Sequence, residues 1–77
     1  MEENRLSCSI SIHEEKQDGK NVFVVECIEL GISDFGDTID EAVNNLKSGI
    51  HLLLEEAPEK KELLEKQEPL MVSRLFL

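Results

Sequence analysis

The feature that most narrows what this chain can fold into is an Asp-Gly dipeptide set between two runs of alternating aliphatic residues. In the first run, Leu6 to His13 (LSCSISIH), Leu6, Cys8, Ile10 and Ile12 share one face and three serines share the other. A period of two over this length is the pattern of a half-buried strand. The second run, Val22 to Cys27 (VFVVEC), reads as the returning strand. Between them lies EEKQDGKN, and Asp18-Gly19 at its centre suits a type I′ turn, whose two middle residues both need positive φ. A two-residue loop there fixes the register, with Ile12 facing Val25 and Ile10 facing Cys27. The apolar faces of the two strands then coincide.

After a short loop (IELG) a brief third strand is expected over 32–35, ended by Gly36. From Ile39 the apolar period changes to that of a helix: Ile39, Ala42, Val43, Leu46, Ile50, Leu53 and Leu54 fall on one stripe and Leu52 on the opposite side. Thr38 stands at the N-cap position with Glu41 three residues later, a Thr-x-x-Glu capping box in which each side chain satisfies an orphaned backbone N–H. Asp40 and Glu41 also complement the positive end of the helix dipole. Pro58 stops the helix before it, because proline lacks the N–H and restricts the residue ahead of it. Leu63 and Leu64 are the apolar pair of a short second helix or helical extension, and LMVSRLFL after Pro69 reads as a final strand apolar on both faces. The expected fold is α+β, in the order β-β-β-α-(α)-β. A three-stranded antiparallel meander is joined by a parallel edge strand beside strand one, with helices on one face.

A chain of 77 residues has room for one core. That removes the kinase reading of Asp34-Phe35-Gly36, which needs a Gly-rich loop, a strand lysine and a catalytic loop that this length cannot supply. Aromatic residues make up only 4% of the chain, so the core must be aliphatic, and a partner subunit would add useful apolar contact. The balance of 17 acidic against 8 basic side chains argues against direct nucleic-acid binding and favours a basic partner. Six acids (Glu26, Glu29, Asp34, Asp37, Asp40 and Glu41) fall between Asn21 and Leu46, a stretch with no lysine or arginine. Cys8 and Cys27 lack the paired spacing of a zinc site and read as small core residues. No signal peptide or membrane span is visible, and the expected location is cytoplasmic.

With the elements placed, Val22 to Glu56 resembles the HicB antitoxin family: a strand, a loop, a short strand, then Gly36-Asp37-Thr38, Glu41-Ala42 and a helix ending in paired glutamates. The resemblance implies a partial ribonuclease H-like fold, a single HicB-like domain over 1–77, and an antitoxin that binds and neutralises a small basic RNA-cleaving toxin of the HicA type. The acid-only stretch supplies the candidate partner-binding residues Glu26, Glu29, Asp34 and Asp37. Two departures from the family stand out. The loop IELG lacks the family's prolines, and the chain ends at Leu77 without a C-terminal DNA-binding segment, so self-repression at an operator is not expected of it alone.

The competing class is a nuclease, since a ribonuclease H-like fold can carry a two-metal carboxylate site. That chemistry needs an acid near the middle of strand one, and LSCSISIH has none. His13 and His51 come with no identifiable nucleophile or metal partner, so no enzyme, cofactor or metal site is expected. The third reading is a non-catalytic homo-oligomeric scaffold or protein-binding module. Its interface would be the last strand, with Leu70, Val72 and Phe76 on one face and Leu75 on the other, an apolar edge that solitary proteins avoid.

Overall fold

Asp18 and Gly19 take φ of 52° and 77°, the left-handed pair that a type I′ turn requires, in the computed structural model, which describes residues 6–65 and 76. The turn joins β1 (Ile10–Gln17) to β2 (Lys20–Cys27). The register is the one the dipeptide imposes, with Ile10 opposite Cys27 and Ile12 opposite Val25. The strands run on to Gln17 and Lys20, past the alternating runs and up to the two-residue turn itself. A second antiparallel pairing brings β3 (Ile32–Gly36) against β2, with Cys27 opposite Ile32 and Phe23 opposite Gly36. The sheet order among the described residues is β1-β2-β3.

The helix α1 (Ile39–Glu56) starts at the expected cap. Thr38 is extended, with φ −130° and ψ 165°, and its Oγ1 accepts from the Glu41 backbone N–H at 3.0 Å. The return half of the box differs from the strict pattern: Glu41 Oε1 accepts from the Asp37 N–H at 2.7 Å, one residue ahead of the cap. At the other end the Ala57 N–H reaches Leu53 O at 2.8 Å, and Pro58 opens a 3₁₀ turn over Pro58–Lys60 that leads into α2 (Lys61–Glu65).

The apolar stripe of α1 packs on the sheet through Ala42 and Leu46, both buried, with Val43, Ile50 and Leu54 alongside. They meet Val25 and Cys27 of β2, and Leu64 of α2 closes the same cluster. Leu52 points away and is 60% exposed, as its angle on the helix requires. Register alternation therefore assigns Phe23, Val25, Cys27, Ile32, Asp34 and Gly36 to the helix side. The buried Gly36 is where α1 comes closest to β3.

Two expectations need correction. Strand one does not start at Leu6: residues 6–9 run past the end of the ladder, where the Ser7 N–H bonds to Leu64 O at 3.2 Å and Ser9 O accepts from the Ile28 N–H at 2.9 Å. Nor is β1 half-buried. All eight of its residues are exposed, with Ile10 at 42% and Ile12 at 44%, because α1 lies over β2 and β3 and leaves this edge strand uncovered. The expected parallel edge strand, with Leu70, Val72 and Leu75, lies outside the described residues. Phe76 is described, in no regular element and 84% exposed.

Candidate functional site

The four acids singled out from sequence do not converge on one surface. Glu26 is exposed and, by alternation, points to the sheet face opposite the helices. Asp34 points to the helix side, is half-buried, and accepts the Phe35 N–H on Oδ1 at 2.8 Å. Asp37 is exposed at the β3–α1 junction, with Oδ1 3.5 Å from Lys20 Nζ. Glu29 sits in the turn after β2, half-buried, and its Oε1 accepts from the Ser9 N–H at 2.8 Å. Burial raises the pKa of the Glu29 carboxyl, but the bonds it accepts, foremost from Ser9, outweigh this and hold it below its ordinary 4.5. Glu26 and Asp37 are thus the exposed acids of the set, Asp37 with Lys20 beside it, while Asp34 and Glu29 serve the local backbone.

The sheet face away from α1 carries Ser11, His13, Glu15 and Gln17 from β1, Lys20, Val22, Val24 and Glu26 from β2, and Ser33 and Phe35 from β3. Neither described helix covers it. His13, Val24 and Phe35 form a row across the three strands, and Phe35 is 51% exposed. An aromatic ring flanked by Val24 and bordered by Glu26 can anchor a partner while its acidic neighbour orients it. Sequence reasoning passed over Phe35 because it sat in the false kinase triplet. The alternation of β3 was the available signal.

His13 Nε2 lies 2.8 Å from Glu15 Oε2, both side chains exposed on this face. His51 is elsewhere, on the wall of a groove of about 360 Å³ between residues 6–8 and α1, shared with Leu6, Cys8, Lys47, Ile50 and Leu64. With strand one shifted, Glu14 and Glu15 now fall inside it. Among the described residues neither joins a group of three or more metal-type ligands. Among the described residues the group that does form is Cys8, Cys27 and Glu29, whose ligand atoms lie within 4.8 Å of one another. The two cysteines that spacing kept apart are neighbours on the helix side of the sheet.

Comparison of the chain with family profiles, with curated proteins and with solved structures yields no match. Among the described residues no helix is long and apolar enough to cross a membrane.

Proposed function

We propose that this protein is a non-catalytic, antitoxin-like module that binds and neutralises a small basic RNA-cleaving toxin of the HicA type. The observation that carries this reading is the sheet face left open by both described helices, where Phe35 and Val24 border the exposed Glu26 and Glu15 lies on the neighbouring strand. An RNA-binding enzyme presents a positive surface to phosphates, and a protein of formal net charge −9 competes for the same field. The resemblance of Gly36-Asp37-Thr38, Glu41-Ala42 and the following helix to HicB antitoxins supports the same partner class and a partial ribonuclease H-like ancestry for the fold. Titration of the toxin encoded next to this chain by calorimetry tests it; no complex at micromolar concentration rejects the antitoxin role. Incubation of the protein alone with magnesium or manganese should leave RNA, DNA and hybrid duplexes intact.

A homo-oligomeric scaffold is the second reading, favoured by the exposed Ile10 and Ile12 on the uncovered edge strand β1. Sedimentation separates the two. A dimer that Ile12→Lys dissolves supports self-association through β1, and a monomer at micromolar concentration removes it.

A further inference from the structure

The hairpin register continues past the last ladder pair. Beyond Ile10 and Cys27, Ser9 stands against Ile28 through the Ile28 N–H to Ser9 O bond, and Cys8 comes next, against Glu29. Alternation sends Cys8 to the side of Ile10 and Cys27, and the turn after β2 brings Glu29 back toward them, its Oε1 accepting from the Ser9 N–H. Their two sulfurs and a carboxylate oxygen lie within 4.8 Å of one another.

We propose that Cys8, Cys27 and Glu29 form a binding site for a thiophilic divalent cation, zinc in the first instance, with two thiolates and one carboxylate oxygen as protein ligands. Around tetrahedral zinc, with bonds of about 2.3 Å to sulfur and about 2.1 Å to oxygen, neighbouring donors stand about 3.5 to 3.8 Å apart. The three ligand atoms, within 4.8 Å of one another, must draw closer to reach that spacing. Glu29 is already oriented for the task. Its Oε1 accepts from the Ser9 N–H at 2.8 Å, and such a bond to a carboxylate oxygen is how carboxylate ligands are aimed. Soft sulfur donors select zinc over magnesium or calcium. No fourth histidine, cysteine or carboxylate joins the group among the described residues.

On binding, each thiol loses its proton to solvent and its sulfur lone pair goes to the metal, while Glu29 enters already ionised. The metal would join residues 6–9, which lie outside the ladder, to the end of β2.

The inference is independent of the toxin reading and is tested on the full chain kept reduced with a phosphine. Cobalt(II) is the probe. One equivalent per chain should produce near-ultraviolet thiolate charge transfer and the visible bands of tetrahedral cobalt, and zinc should displace both. Cys8→Ser, at the partly exposed position, should abolish the charge-transfer intensity expected for two thiolates. Glu29→Gln should weaken binding about tenfold or more. Zinc should raise the melting temperature of the wild type and not of Cys8→Ser. If Cys8→Ser proves unfolded, proton release from the wild type decides: two protons per metal support the site, and none overturns it. Absence of thiolate bands at millimolar cobalt, or bands of equal strength in folded Cys8→Ser, also overturns it.

Discussion

A methyl group built on Gly36 would stand 2.6 Å from the backbone nitrogen of Ala42 and 2.9 Å from Glu41 Cβ. The last residue of β3 and the first turn of α1 therefore meet with no room for a side chain, and the meeting atom is backbone. Gly36→Ala should destabilise the protein by about 1–3 kcal/mol, since a main-chain amide inside a helix cannot shift as a flexible side chain would. Gly49 is the opposite case. Nothing lies within 4 Å of its missing Cβ, so Gly49→Ala should raise stability by about 0.5–1 kcal/mol through helix propensity alone. Thermal melts of the two variants should move in opposite directions, and a shift of the same sign in both would refute the packing assigned to Gly36.

Thr38→Ala removes the acceptor of the Glu41 N–H and should cost about 1 kcal/mol, or about 4–8 °C in a domain of this size. Glu41→Gln should cost less, because an amide oxygen can still accept from the Asp37 N–H. Denaturant midpoints measure both; a neutral Thr38→Ala would mean that water replaces the cap.

How far these contacts could be read in the sequence depended on what each element buries. Asp18-Gly19 fixed the register outright, because positive φ at two successive positions leaves one hairpin geometry. Strand one was misplaced by four residues at its start for a physical reason. Alternation records burial on one face, and the far half of β1 lies beyond the reach of α1, where Glu14, Glu15, Lys16 and Gln17 need not alternate. Leu6 and Cys8 keep the alternation because they pack against the core without joining the ladder. The Cys8–Cys27 neighbourhood was also within reach: alternation carries Cys8 to the side of Ile10, which the correct register sets opposite Cys27. The inward turn of Glu29 was not, since it depends on the loop geometry around Gly31, whose φ is 70°.

The His13–Glu15 contact makes a pH prediction with a definite sign. The side-chain hydrogen bond from His13 holds the Glu15 carboxyl below its ordinary 4.5. A carboxyl depressed in the folded state contributes stability above its unfolded pKa, and that contribution is lost as pH falls through the lower folded value. Both groups are exposed, so the effect belongs to titration rather than to global stability. Carboxyl NMR should find Glu15 titrating below 4.5 in the wild type and moving upward in His13→Ala. An unchanged midpoint would show that the contact does not persist in solution.

The last prediction concerns the proposed toxin interface and changes which acids probe it. Glu29→Lys would break the bond from Ser9, and Asp34→Lys would place a cation on the helix side of the sheet, so loss of binding in either could come from local unfolding. Glu26→Lys and Asp37→Lys reverse exposed charges, and the bond at stake is the 3.5 Å Asp37–Lys20 surface contact. If those acids steer the encounter, each reversal and added salt should slow association far more than they speed dissociation. Phe35→Ala should do the reverse. An anchor half-exposed in the free protein and buried in the complex acts on the dissociation rate, and its removal should weaken affinity by 2 kcal/mol or so, roughly thirtyfold. Thr38→Ala, distant from the partner in this scheme, should lower the melting temperature and leave both rates nearly unchanged. Surface plasmon resonance over a salt series, with melts of every variant, separates these outcomes. A complex indifferent to Phe35→Ala and to both reversals would keep the partner and reject this face as its site.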